Sequence, residues 1–119
     1  LRLATIARRP GVEVRLRAEL RRELPGPTQV QLFRVAEEAL NNALKHAEAT
    51  LLDIVVFSDE SNVVLEVRDN GRGFAVENAA ESAGLGLVSM RERIDSLGGV
   101  LELESCPGGG TLVRVKLNG

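Results

Sequence analysis

Two stretches near the C-terminus, Val100 to Glu104 and Thr111 to Leu117, alternate apolar and charged residues, and this alternation constrains the fold more than any other feature of the chain. A strand presents successive side chains to opposite faces. Leu101, Leu103, Val113, Val115 and Leu117 therefore share one side of a terminal hairpin, and Glu102, Glu104, Arg114 and Lys116 the other. A sheet with one charged, wet face accepts helices on the opposite face only. The pattern predicts a two-layer α+β sandwich, with a mixed and mostly antiparallel sheet, rather than a doubly wound parallel sheet.

The rest of the chain supplies parts for that plan. Residues 1–9 read as the tail of a helix, stopped by Pro10-Gly11, and Val12 to Arg17 alternate as a half-exposed strand. Pro25-Gly26-Pro27-Thr28 breaks the chain, with Thr28 placed to cap a helix from about Gln29 to His46. On that helix Phe33, Ala36, Leu40, Ala43, Leu44 and Ala47 gather into the stripe expected to bury. Leu51 to Ser58 and Asn62 to Arg68 read as strands joined by the polar turn Asp59-Glu60-Ser61. A second helix is expected from near Leu85 to Gly98-Gly99, whose glycines supply a left-handed stop.

At 119 residues the chain reads as one domain, able to bury roughly two thirds of its unfolded surface. It begins at Leu1 rather than Met, which suggests a piece of a longer protein. The longest apolar runs, such as Ile54 to Phe57, are far too short to span a bilayer. A formal net charge of −2, with Arg15, Arg17, Arg21 and Arg22 interspersed among Glu13, Glu19 and Glu23, argues against direct nucleic-acid binding. One cysteine, Cys106, excludes an internal disulfide and fits a reducing cytoplasm, and one histidine, His46, excludes a multi-histidine metal site.

Four segments carry candidate chemistry. Asp69-Asn70-Gly71-Arg72-Gly73-Phe74 ends an apolar strand with a carboxylate and two glycines. It reads either as a strand with an Asn-Gly turn or as a ligand-holding turn in which Asp69 is an acceptor-only group. Glu38, Asn42 and Lys45 form one row on the long helix. By itself the row reads as a solvated face, yet Asn41-Asn42 in mid-helix is not chosen for propensity. An amide oxygen with a carboxylate one turn before it and an ammonium one turn after it suits Mg²⁺ and phosphate. Gly84-Leu85-Gly86-Leu87 opens the second helix, where backbone N–H groups favour an anion, though the segment also reads as a plain loop. Gly108-Gly109-Gly110-Thr111 is a hairpin turn that can also bring the Thr111 hydroxyl near Asp69. Neither the P-loop nor the dinucleotide-binding glycine pattern is present.

In this order, and over almost the whole chain, the four segments resemble the GHKL group of ATP-binding domains, named for gyrase, heat-shock chaperones, histidine kinases and mismatch-repair proteins. Leu32 to Ala47 is similar to the group's N box, Asp69 to Phe74 to its G1 box, Gly84 to Leu87 to its G2 box, and Gly108 to Thr111 to its final glycine-threonine turn. Within the group the catalytic domain of bacterial sensor histidine kinases is most similar. Met90-Arg91-Glu92-Arg93, followed by Leu97-Gly98-Gly99, resembles the subfamily that signals to response regulators with LuxR-like output.

The resemblance implies a Bergerat-type fold and ATP with Mg²⁺ as ligands. It implies that Asn42 and Glu38 address the metal, with Glu38 a general base in second place, and that Lys45 and the main chain of Gly84 to Leu87 contact phosphates. Asp69 would accept the adenine amine, supported by Thr111. Gly71, Gly73 and Phe74 would lead into a lid over residues 75–83, and His46 would form a pocket wall. The implied partners are a dimerisation and phosphoacceptor helical domain of the same kinase and a response regulator. The full-length protein would be a cytoplasmic or membrane-anchored homodimer, and the fragment a monomer. The alternatives are an anti-sigma-factor serine kinase, another GHKL ATPase, or a binding module that does no chemistry.

Overall fold

The computed structural model of the chain describes residues 11–45, 48–73 and 86–118. The elements run β1 (Glu13–Glu19), α1 (Gly26–Lys45), β2 (Leu51–Ser58), β3 (Asn62–Asp69), α2 (Leu87–Asp95), β4 (Val100–Ser105) and β5 (Thr111–Asn118). The five strands form one sheet in the order β1-β2-β3-β5-β4. β1 and β2 are parallel, which requires a crossover that α1 supplies, and every other pair is antiparallel. β3 lies at the centre and buries Val63, Leu65 and Val67.

The alternation places those residues, with Leu52, Ile54, Val56, Val113, Val115 and Leu117, on the inner face. There they meet Leu32, Val35, Ala36, Ala39, Leu40 and Ala43 of α1 and Leu87, Met90 and Ile94 of α2. Leu40, Leu65, Met90 and Ile94 are wholly shielded from solvent. Each such side chain contributes about 1.5–3 kcal/mol relative to exposure. The outer face carries the charges, with Arg114 bonded to Glu66 at 2.8 Å and Lys116 to Glu102 at 3.0 Å. The two-layer α+β sandwich expected from the sequence is therefore the observed one.

Three details depart from expectation. α1 begins at Gly26, so Thr28 lies inside the first turn rather than capping it, and the amide of Gln29 donates to the Pro25 carbonyl at 3.0 Å. Pro27 allows this earlier start, because its ring presets a helical φ and its missing N–H would have had no intrahelical acceptor. The buried stripe of α1 is also rotated toward Leu32, Val35 and Ala39, while Phe33 and Leu44 are only partly buried at its margins. α2 starts at Leu87 and ends at Asp95, and the left-handed stop at Gly98 (φ 72°) lies just beyond. The expected helix over residues 1–9 lies outside the described residues.

Candidate functional site

Asp69 is the last residue of β3 and points, like Leu65 and Val67, toward the helical layer. It is half-buried, and its register partner across the ladder is Thr111. The Gly71 amide donates to its Oδ1 at 2.8 Å. Burial raises its carboxyl above the ordinary carboxylate range, and N–H bonds from Gly71 and Thr111 oppose that rise. Among the described residues no Lys or Arg lies within ion-pair distance of it. The carboxylate is thus held in place by main-chain donors and keeps acceptor capacity for a ligand.

The expected support from Thr111 comes through its main chain. Its hydroxyl lies 2.9 Å from Ser105 Oγ, inside the hairpin, and Ser105 in turn donates to the Gly110 carbonyl at 3.0 Å. The glycines on either side have a steric role. Gly73 (φ 64°) packs so closely on the carbonyls of Cys106 and Gly110 that a Cβ would overlap the Cys106 oxygen, and a Cβ on Gly110 (φ 71°) would overlap the Asp69 oxygen. The amide of Gly108 donates to the Arg72 carbonyl, which closes one turn over the other. Cys106 is an exposed turn residue whose main chain forms part of this seam.

On α1, Glu38 and Asn42 are half-buried and Lys45 is exposed. Gly86 (φ 69°) is the N-cap of α2 and makes no side-chain cap bond. A Cβ there would lie 2.7 Å from Glu38 Oε1, so the row on α1 and the glycine opening α2 meet. The amides of a helix's first turn lack intrahelical acceptors and favour an anion. Glu38 and Asn42 offer the hard oxygen donors that suit Mg²⁺. Among the described residues no group of three or more His, Cys, Asp or Glu forms a cage for a metal. Mg²⁺ commonly takes one or two protein oxygens and completes its shell with phosphates and water, so the donor set fits. Leu87 buries its side chain in the core, which leaves its main chain for any ligand contact. His46, Phe74, Gly84, Leu85 and the expected lid over 75–83 lie outside the described residues.

Two groups within the quoted motifs make contacts between elements that the sequence did not indicate. Asn70 hydrogen-bonds across to Thr50 and Leu51. The arginines of the Met90 to Arg93 run orient α2, Arg91 reaching the Leu101 carbonyl at 3.3 Å and Arg93 reaching Gln31 of α1 at 3.4 Å. A cavity of about 500 Å³ opens on the outer sheet face, lined by Arg15, Arg17, Asp53, Glu66 and Arg68 among others. It faces away from Asp69.

With the fold and these residues in place, the chain can be compared with known proteins. Residues 28–118 match the family described as histidine kinase-, DNA gyrase B- and HSP90-like ATPases, and the chain belongs to that family. It is 40% identical over 91 residues to the signal transduction histidine-protein kinase/phosphatase DegS of Bacillus subtilis, a match covering 75% of this chain and 24% of DegS. It is 36% identical over 94 residues to the sensor protein VraS of Staphylococcus epidermidis, covering 79% of this chain and 27% of VraS. The chain thus spans about a quarter of the length of these curated relatives. Among solved structures, the ATP binding domain of PrrB from Mycobacterium tuberculosis superposes with a TM-score of 0.72 at 27% identity, covering 98% of this chain and 85% of that one. The histidine kinase domain from the Erythrobacter litoralis EL346 blue-light activated kinase shares the fold with a TM-score of 0.75 at 22% identity, covering 97% and 58%.

Proposed function

We propose that residues 1–119 form the ATP-binding catalytic unit of a sensor histidine kinase. In this reading the unit transfers the γ-phosphate of ATP to a histidine on a separate helical dimerisation domain, which a response regulator then unloads. The bond from the γ-phosphorus to the bridging oxygen breaks, a phosphorus–nitrogen bond forms, and ADP leaves. The observation that carries the reading is Asp69: half-buried, with no Lys or Arg at ion-pair distance among the described residues, and held by two main-chain amides. An acceptor-only group pairs with the exocyclic amine of adenine and opposes the carbonyl oxygen that guanine presents there.

Asn42 and Glu38 would hold Mg²⁺, which supplies charge neutralisation between the phosphates. Lys45 and the first-turn amides of α2 bind phosphate oxygens, and Glu38 orients water or accepts a proton in second place. Phosphoryl transfer depends mainly on positioning and charge stabilisation. The one histidine of this chain, His46, belongs to the N box, so the acceptor comes from the separate domain. The site lies in the cytoplasm in this reading. No helix among the described residues is long and apolar enough to cross a membrane.

Calorimetry of the folded chain with Mg-ATP and with Mg-GTP tests the reading. Heat of binding with ATP and little or none with GTP is expected, and absence of any ATP heat overturns it. Labelled ATP with the full-length protein should give an acid-labile phosphoprotein. An acid-stable one would redirect the assignment to a serine kinase.

A further inference from the structure

The glycines and the acid account for Asp69, but they do not explain how the adenine end of the site is kept in register with the phosphate end on α1. The two lie on separate elements, and α1 leaves the site through Glu48, which adopts a left-handed conformation (φ 53°), while the Ala49 amide donates back to the Ala43 carbonyl at 3.0 Å. The next two residues are seized by Asn70. Its Oδ1 accepts from the amides of Thr50 at 2.9 Å and Leu51 at 3.0 Å, its Nδ2 donates to Thr50 Oγ1 at 3.0 Å, and its own amide donates to the Leu51 carbonyl at 3.3 Å. All of the amide side chain's hydrogen bonds given by the structure run from the residue after Asp69 to the segment that follows α1.

We infer that Asn70 is a positioning residue that couples the adenine acid to the phosphate-facing helix, so that ATP is gripped at both ends at once. This rests on the ATP reading of the site. The chemistry requires an acceptor able to take two neighbouring amides together with a donor directed at a hydroxyl, and the amide side chain provides both on one short stem. Asn70 is exposed and contributes no apolar burial, so its role lies in these bonds. Asp69 itself is fixed independently, by Gly71 and Thr111. Loss of the Asn70 bonds therefore leaves the adenine end formed and frees the exit of the helix that carries Asn42 and Lys45.

The test compares ATP, which spans both ends, with adenosine, which engages only one. Asn70→Ala is expected to weaken Mg-ATP about tenfold and adenosine by less than about twofold, as would follow from losing three modest hydrogen bonds that matter only to the phosphate end. Asn70→Asp keeps an acceptor for both amides and lets the Thr50 hydroxyl donate to it, and should restore most of the ATP affinity. Thr50→Val removes one bond only and should cost ATP about two- to threefold, which provides the measurement if the alanine variant does not fold. Equal loss for ATP and adenosine, or no loss for either variant, overturns the coupling. A wild-type chain that binds no ATP overturns the function itself, and that result appears before any variant is compared.

Discussion

Two carboxylates three residues apart on β3, Glu66 and Asp69, face opposite sides of the same sheet and have opposite electrostatic settings. Glu66 lies on the outer face, 2.8 Å from the Arg114 guanidinium, which its hydrogen bond and charge push further up from an already high value. Asp69 lies on the inner side with no Lys or Arg at ion-pair distance among the described residues, and burial raises its carboxyl against the pull of two amides. A surface ion pair satisfies both partners and leaves nothing for a ligand. A half-buried acid held by main-chain donors leaves an acceptor unsatisfied, which disfavours the empty site and favours a filled one. The outer cavity repeats this pairing of charges, mixing three arginines with Asp53 and Glu66.

The largest expected effect falls on the inner acid. A hydrogen bond to a charged acceptor is worth about 1.5–3 kcal/mol, so Asp69→Asn should weaken Mg-ATP roughly ten- to a hundredfold by calorimetry. Its stability should not fall. Folding raises the Asp69 carboxyl above its ordinary value near 3.8, so the folded chain holds this proton more tightly than the unfolded one. The charge therefore costs stability, fully above the folded value and not at all below the unfolded one. Lowering the pH through that window should strengthen the empty fold as far as Asp69 is concerned and weaken ATP, because the protonated acid loses acceptor capacity. Asp69→Asn should remove both slopes. An ATP affinity flat across the window in the wild type would place the adenine contact elsewhere.

The seam between the two turns comes next. Gly73→Ala adds a methyl group where the Cys106 carbonyl lies, at a φ that L-residues rarely adopt. Strain of this kind costs on the order of 1–3 kcal/mol. A lower denaturation midpoint is expected, with ATP affinity lost as the Asp69 turn shifts. Gly108→Ala, at a glycine that also has positive φ but open space around it, should keep nearly all of its ATP affinity. Equal ATP losses in the two variants would show that backbone angle, rather than the packed seam, is what matters.

The sequence carries the sheet plan openly, because period-two alternation in β3, β4 and β5 is dictated by which face is wet. Asn42 in mid-helix and Asp69 at a strand end stood out for a similar reason: both contradict local propensity, which made them candidates for a site. The exact stripe of α1 was not legible. Phe33 and Leu44 fit the helical period as well as Leu32 and Val35 do, and only the position of the sheet decides between them. The start of α1 was missed because a Pro-Gly-Pro run reads as a breaker, although proline in a first turn is compatible with helix. The bonds of Asn70 and Ser105 were hidden because their partners lie 19–20 residues away and five to six residues away, respectively, and both look like ordinary turn residues. Main-chain support of Asp69 by Thr111 was likewise invisible, since the threonine suggested its hydroxyl.

The smallest effect belongs to the outer carboxylate, and it is the one that sharpens the contrast. Glu66→Gln removes the charge opposite Arg114 but keeps an oxygen able to accept from its Nε. Glu104 also approaches Arg114, at 3.9 Å, so the guanidinium is not left without an anion. Ion pairs on a solvent-facing sheet surface add little, and they add less as salt rises. ATP affinity of Glu66→Gln should stay within about twofold of the wild type across the same pH range in which Asp69→Asn has lost its pH dependence. Since both residues belong to one strand, a fall comparable to that of Asp69→Asn would mean that β3 transmits disturbance from its outer face to its end. The inner acid would then be fixed by the strand as a whole rather than by its two local amides.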